Sequence, residues 1–240
     1  MNAAGDRNAP AFSGGPRWGP PDAWMVLIAS ELVMIVAGTI AVAAQGRSND
    51  LPMTTTFLAS VPFWLFALVA ARMVVARGGH DPVAELRLHF RPIDVPIGIA
   101  AGAVAQLVVI PLLYWPLLKL FHSDTRHLEE VARNLDRTAR GVLGTTLLIV
   151  MTVIAAPVVE EVLYRGLLLG ALERRRRVVG LVVSAAVFAA LHFEPLQFVG
   201  LFVFGLILGG LVQRTGRIGT SIVTHATFNA VTVATLLLRR

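Results

Sequence analysis

The chain of 240 residues is 55% hydrophobic and only 15% charged, with a mean hydropathy of +0.70. A soluble domain carries about 25% charged residues, so this composition excludes an ordinary water-soluble globule, and the excess of apolar residues excludes a disordered chain. The absence of cysteine excludes disulfide frameworks, thiolate catalysis and iron–sulfur sites. The formal net charge is +6, but the basic residues lie at the ends of apolar runs, which indicates membrane topology and argues against nucleic-acid binding.

Seven apolar runs occupy most of the chain, and each is close to the roughly 20 residues that a membrane-spanning helix requires. We therefore predict an all-α fold, a polytopic membrane bundle of about seven transmembrane helices in a single domain, residues 23–240. Residues 1–22 are rich in Gly and Pro and lack the compact basic region of a signal peptide, which predicts a flexible tail. The runs lie near residues 23–44, 54–76, 94–121, 142–172, 178–193, 196–213 and 218–238.

Prolines and short lengths make two parts of this pattern irregular. The third run contains Pro96, Pro111 and Pro116, so kinks are expected there. The fifth and sixth runs are short and are joined by the tight turn 193–195. They are interpreted either as steep transmembrane helices or as a buried helical hairpin. The number of transmembrane helices depends on which of these two structures is present.

The distribution of Lys and Arg predicts the orientation. With a cytoplasmic N-terminus, twelve basic residues lie on the cytoplasmic side and eight on the other side. We therefore predict that the N-terminus is cytoplasmic and the C-terminus outside, in a plasma membrane of the bacterial type. The block Arg174–Arg177 contributes most and is interpreted as a topology anchor. The loop 122–140 has balanced charges and apolar residues at helical spacing, which predicts an amphipathic surface helix, more a connector than a substrate lid.

Ionisable residues inside the spans require an explanation, because a charge at bilayer depth costs roughly 2.5–3.5 kcal/mol. Glu31 stands alone in the first span and is interpreted as structural or tolerated. In the fourth span, Glu161 and Arg165 are four residues apart and can form an ion pair on one helix face. Glu160 points about 100° away and is left free for another partner, and Pro157 can loosen the backbone nearby.

The fifth and seventh spans carry the remaining polar groups. Phe188 and His192 share one helix face, and His225 and Asn229 share another. Either pair alone is explained by hydrogen bonding between helices. Together with Glu160 they form a set that water hydrolysis requires: a carboxylate to take a proton from water, imidazoles to bind a metal or to hold the water, and an amide to stabilise an oxyanion.

Three short motifs at these positions resemble those of the CPBP family, the membrane-embedded CAAX prenyl proteases and bacteriocin-processing enzymes, also called the Abi family. The first motif, EExxxR, is present as residues 160–165, FxxxH as 188–192 and HxxxN as 225–229. They occur in the family's order on separate spans, and a Gly-rich run at 204–210 lies between the last two. The resemblance covers residues 142–232, a CPBP-like catalytic core.

The resemblance implies an intramembrane endopeptidase with its active site buried between the later helices. Carried over by position, Glu160 would activate the water and His192 would help to hold it, while His225 and Asn229 would stabilise the oxyanion. Glu161 and Arg165 would orient the helix, with Phe188 in support. Zinc is a possible cofactor, and Glu160, His192 and His225 would then be its ligands, but activation of water without a metal is equally compatible with these residues.

The resemblance leaves the substrate open. Expected partners are the lipid bilayer and a peptide or membrane-anchored protein, with a CAAX-type C-terminus as one option, and nothing in the sequence selects an oligomeric state. A non-proteolytic membrane adaptor or bacteriocin-immunity protein on the same scaffold is the main alternative. A transporter with Glu160 and the histidines as a proton relay is less favoured, because the polar groups are concentrated in the second half of the chain.

Overall fold

A computed structural model describes residues 18–45, 51–121, 133–134 and 137–238. Within these ranges the chain forms helices and no strands, which confirms the predicted all-α fold. Most of the loop 122–140, with its predicted surface helix, lies outside the described residues. The helices are α1 Pro20–Gln45, α2 Met53–Ala76, the short α3 Pro82–Glu85, α4 from Asp94–Val104 through Ala105–Val109 to Ile110–Phe121, α5 Gly141–Glu173, α6 Arg177–Ala190, α7 Phe198–Thr215 and α8 Gly219–Leu237.

Six of the described helices are long and apolar enough to cross a membrane, namely α1, α2, α4, α5, α7 and α8. Each of the seven predicted runs forms a helix, but α6 has only 14 residues, fewer than the roughly 20 that a perpendicular span requires. The turn after α6 passes through Phe193, whose φ is 54°. The chain therefore reverses sharply between α6 and α7, as the tight turn at 193–195 predicted.

Two prolines in the long helices, Pro111 and Pro157, follow π-helical segments. In α4 the segment Ala105–Val109 precedes Pro111, and in α5 the segment Val150–Ala155 precedes Pro157. A proline has no N–H to donate to the preceding turn, and a wider turn lets the remaining donors find other carbonyls. A second π-helical segment in α5, Glu161–Leu169, is buried along its whole length. It contains Glu161 and Arg165 of the first motif, and Glu160 immediately precedes it.

The core forms where α1 and α2 pack against the second half of α5, together with α6 and α7. Its large members include Leu163, Leu167, Phe188, Phe204 and Leu208. Trp18 also belongs to this core and is only 3% exposed. The predicted flexible tail therefore needs a correction: its residues from Trp18 onwards are ordered, and α1 begins at Pro20. Residues 1–17 lie outside the described part of the chain.

Helices α4 and α8 pack very closely because glycines remove side chains from their interface. A Cβ placed on Gly98 would stand 2.5 Å from Cβ of Val223, and a Cβ on Gly102 would collide with the backbone of Thr224. Close backbone approach through small residues is the usual way in which helices associate in lipid. This interface fixes α8, which carries the third motif, against α4.

The ends of several helices meet on one side of the bundle through polar contacts. Arg174 donates to the carbonyl of Trp18 at 2.8 Å and forms an ion pair with Glu85, while Arg87 pairs with Glu173. The interpretation of Arg174–Arg177 as a topology anchor is therefore incomplete, because Arg174 also ties α1 to α5. These contacts place the basic helix ends on the same side as the start of α1, and the assignment of that side to the cytoplasm stays a prediction.

Candidate active site

Glu161 and Arg165 form a fully buried ion pair. Nη1 of Arg165 lies 3.0 Å from Oε1 of Glu161, and both side chains are 0% exposed. Nη2 of Arg165 donates to the carbonyl of Gly205 on α7 at 3.3 Å. The i,i+4 pair expected from the spacing is therefore present. It also links α5 to α7.

His225 on α8 binds the same carboxylate. Nδ1 of His225 lies 3.0 Å from Oε1 of Glu161. Since a carboxylate accepts hydrogen bonds, Nδ1 carries a proton, and Nε2 is the ring nitrogen left to bind another group. The sequence did not predict this contact, because Glu161 was assigned to Arg165 alone. The structure adds a second task for Glu161, which is to set the orientation of His225.

Glu160 lies on the Nε2 side of the His225 ring. Its Oε2 lies 3.9 Å from Nε2 of His225, which is too long for a hydrogen bond. This oxygen is buried and has no hydrogen-bond donor among the described residues, although the side chain as a whole is 20% exposed. A buried carboxylate oxygen without a donor is uncommon in folded proteins and indicates a site that accepts a proton or a ligand. His225 thus lies between the two acidic residues of the first motif.

His192 lies at the C-terminal end of α6 with one nitrogen engaged. Its Nδ1 donates to the carbonyl of Phe188 at 2.7 Å, since a carbonyl can only accept. Nε2 is therefore the nitrogen that can accept a proton or bind a ligand. The ring of Phe188 packs edge-on against both imidazoles, with centroids 4.6 Å from His192 and 5.8 Å from His225. The guanidinium of Arg165 also lies over this ring, 4.4 Å from its centroid. Phe188 therefore packs between the side chains of Arg165, His192 and His225.

Asn229 lies one turn after His225 and bonds α8 to α5. Its Nδ2 donates to the carbonyl of Thr152 at 2.7 Å. This carbonyl lies in a π-helical segment, where an N–H bonds to the carbonyl five residues before it. The N–H of Ala156 bonds to the carbonyl of Met151, so the donor to Thr152 would be the nitrogen of Pro157, which carries no hydrogen. Asn229 supplies the missing donor. One amide hydrogen of Asn229 is used in this way, and the second is left for another acceptor.

Glu31 faces the same region from α1. The buried face of α1 contains Ala23, Leu27 and Ser30, and Glu31 follows it at one turn from Leu27. Helix α1 contacts the buried segment Glu161–Leu169 of α5, and Glu31 is half-buried. The residue is thus directed toward α5. Within the part of the chain that the structure describes, no contact of Glu31 suggests a chemical step, and its interpretation as a structural residue stays a prediction.

The three side chains expected to bind zinc do not form a ligand set as they are placed. Among the described residues, no group of three or more His, Cys, Asp or Glu side chains is arranged to hold a metal ion. Glu160 and His225 lie close together, but His192 is not gathered with them into such a group. The arrangement of these three side chains does not fit a bound metal.

Sequence reasoning missed one polar cluster, at the start of α4 and α8. Asp94 is 0% exposed and accepts hydrogen bonds from Arg217 at 2.8 and 2.9 Å, and also from Thr220. The available signal was an aspartate at the first residue of an apolar run and an arginine just before another. The cluster fastens the N-terminal end of α8, five residues before His225, to α4.

Comparison with known families tests the resemblance. Residues 142–231 match the family model described as "Type II CAAX prenyl endopeptidase Rce1-like". The match covers 90 of the 240 residues and shows similarity to this family in that region. This confirms the resemblance to the CPBP family for the part of the chain on which it was based, residues 142–232. Comparison of the whole chain with curated proteins and with solved structures gave no match.

The matched region contains the whole candidate site. It begins within α5 and ends within α8, so it includes the two acidic residues, both histidines and Asn229. Helices α1, α2 and α4 lie outside it and pack around it. With six apolar helices of spanning length, the chain is an integral membrane protein.

Proposed function

We propose that this chain is an intramembrane endopeptidase that hydrolyses peptide bonds of membrane-associated substrates. The observation that carries the proposal is the unpartnered Oε2 of Glu160, which lies 3.9 Å from Nε2 of a histidine that Glu161 holds from behind. A free carboxylate oxygen and a ring nitrogen at this distance can both bond to one water molecule. The match to the Rce1-like family model supports the same reaction class.

In the proposed reaction, Glu160 is the general base. It takes a proton from the bound water, and the oxygen of that water attacks the carbonyl carbon of the scissile peptide bond. When the tetrahedral intermediate collapses, the C–N bond breaks and Glu160 returns the proton to the leaving amine. Nε2 of His192, free because Nδ1 is bonded to Phe188, is placed to hold the water or the substrate.

The oxyanion would be stabilised by α8. When His225 carries a proton on both ring nitrogens, Nε2 can donate to the oxyanion while Nδ1 stays bonded to Glu161. The second amide hydrogen of Asn229 provides a neutral donor on the same helix face. A preorganised donor of this kind is worth about 10²–10³-fold in rate.

The substrate class is proposed to be peptides of membrane-anchored proteins, with CAAX-type C-termini as the first to test. This rests on the Rce1-like description and on the location of the site between apolar helices. A substrate held in the membrane reaches a site that lies between the helices without crossing bulk water.

The decisive experiment compares the wild type with Glu160→Gln on a membrane-anchored peptide panel that includes prenylated CAAX sequences. Gln has nearly the same volume but cannot take a proton, so activity should fall about 10²–10⁴-fold while the unfolding temperature holds or rises. Glu31→Gln is the matched control, because it makes the same chemical change in another span. It should keep activity within about tenfold.

Two outcomes would contradict the proposal. Full activity of Glu160→Gln would remove that residue from the mechanism. A folded wild type that cleaves no member of the panel would favour the non-proteolytic adaptor or immunity protein on the same scaffold.

A further inference from the structure

A cavity of about 310 Å³ opens on the basic side of the bundle, away from the candidate active site. It is lined by His89, Phe90, Arg91, Thr215, Gly216 and Arg217. It lies where three helices reach the edge of the apolar region, because α4 begins at Asp94, α7 ends at Thr215 and α8 begins at Gly219. The cavity is therefore expected at the depth of the lipid headgroups.

The walls of this cavity are held by hydrogen bonds rather than formed by a loose loop. The N–H of Ile218 donates to the carbonyl of Arg87 at 3.0 Å, and the N–H of Gly219 donates to that of His89 at 3.3 Å. The N–H of Arg91 donates to Oδ2 of Asp94 at 2.7 Å. The segment 87–91 is thus bonded to both neighbouring helix starts, and the cavity exists before any ligand binds.

The charges at the cavity leave one cation in excess. Arg217 forms an ion pair with buried Asp94 and also donates from Nη1 to the carbonyl of Thr215. The hydrogen bond to Asp94 raises the pKa of Arg217, so this pair stays ionised and is neutral as a unit. Arg91 is exposed, and its guanidinium forms no ion pair with the other described residues. His89 adds a further donor beside it.

Apolar side chains alternate with these polar ones along the same segment. Leu88, Phe90 and Ile93 are 40%, 58% and 53% exposed. A phospholipid has apolar acyl chains and a charged phosphate. The apolar side chains can contact the acyl chains, and the neighbouring arginine at the helix start can bind the phosphate. Basic pockets between spanning helices are a known type of site for lipid headgroups.

We propose that the cavity between Arg91, His89 and Arg217 binds the phosphate of an anionic glycerophospholipid. The single excess positive charge matches the single charge of a phosphodiester, and the guanidinium of Arg91 can bind two phosphate oxygens at once. The acyl chains lie against Phe90 and its apolar neighbours. A zwitterionic lipid binds less well because its own cation would lie beside two arginines.

The test is native mass spectrometry of the full chain, released from nanodiscs of phosphatidylglycerol and phosphatidylcholine in equal amounts. The wild type should retain phosphatidylglycerol, and Arg91→Gln should retain about five-fold less, as expected for the loss of one cation at the headgroup. Arg176→Gln is the matched control, since Arg176 is an exposed arginine on the same side that does not line the cavity. It should retain as much lipid as the wild type.

Several results would overturn the proposal. Equal retention by Arg91→Gln and the wild type, at equal unfolding temperature, would show that the cavity is not the lipid site. Equal losses from Arg91→Gln and Arg176→Gln would show a diffuse surface charge effect. Inorganic phosphate that binds as tightly as phosphatidylglycerol in a detergent titration would assign the cavity to a free anion instead of a lipid.

Discussion

Nδ1 of His225 donates to Oε1 of Glu161 at 3.0 Å, across the interface of α8 and α5. The same oxygen accepts from Arg165, so one buried carboxylate binds a permanent cation and a titratable ring. This arrangement fixes the tautomer of His225 and turns its Nε2 toward Glu160. A carboxylate that is hydrogen-bonded to one nitrogen of a histidine holds the ring in place, with its other nitrogen directed at the site.

Glu161→Gln should therefore unfold more easily and lose activity. The change leaves the buried charge of Arg165 unpaired, which typically costs about 3–5 kcal/mol. Chemical denaturation in mild detergent measures the free energy of unfolding, and cleavage of the membrane-anchored peptide measures activity.

The double variant Glu161→Gln with Arg165→Met separates the two tasks of Glu161. Removing the cation as well should recover much of the lost stability, because no unpaired charge remains. Activity should stay low, because His225 still lacks its carboxylate. Recovery of activity together with stability would show that Glu161 acts only as a structural ion-pair partner.

Asn229→Ala should affect stability and rate by very different amounts. Loss of the hydrogen bond to Thr152 should cost about 0.6 kcal/mol, and at most roughly 1.7 kcal/mol, as for other hydrogen bonds between membrane helices. If the second amide hydrogen stabilises the oxyanion, kcat should fall about 10²–10³-fold with little change in KM.

Pro157→Ala in the Asn229→Ala background provides a control for that prediction. Alanine restores a backbone N–H at the position where proline left the carbonyl of Thr152 without a donor. The unfolding temperature should rise toward that of the wild type while kcat stays low. A parallel recovery of kcat would mean that Asn229 only fastens the helices.

Removal of metal should leave activity unchanged. The described histidines and carboxylates do not form a group of three around one point, so the proposed chemistry uses Glu160 and the histidines alone. Purified protein should be treated with a strong chelator, its metal content measured by mass spectrometry, and its cleavage rate compared before and after. A loss of activity that added zinc restores would contradict the mechanism proposed above.

The sequence predicted the helices well, and the contacts between side chains of different helices poorly. Apolar runs of spanning length and the spacing of Glu161 and Arg165 are local properties, so they can be read without knowing the fold. The contact of His225 with Glu161 joins residues 64 positions apart and depends on how α8 packs on α5. Periodicity within each helix does not contain that information.

Asp94 and Thr152 illustrate two further limits. Asp94 was overlooked because it stands at the edge of an apolar run, where a charge is ordinary; only the fold shows that it is fully buried against Arg217. The free carbonyl of Thr152 follows from a π-helical segment before Pro157. The proline indicates a loosened backbone, but the residue that compensates for it, Asn229, lies in another helix.

The Gly-rich run of α7 provides a last prediction, which tests packing around the site without changing a polar group. A Cβ on Gly209 would lie 2.5 Å from Cδ1 of Leu181, and one on Gly205 would lie 3.0 Å from the backbone of Ala185. Gly205 also supplies the carbonyl that binds Arg165. Gly205→Ala should therefore lower the free energy of unfolding by about 1–3 kcal/mol and reduce activity, because α6 must move away from α7.

Gly209→Ala should lower the free energy of unfolding by less, since the end of a leucine side chain can turn aside. Gly210 has open space around its Cβ position, so Gly210→Ala should leave activity intact and raise stability by up to about 1 kcal/mol through helix propensity. Equal unfolding free energies for the Gly205 and Gly210 variants would contradict the close packing of α6 on α7.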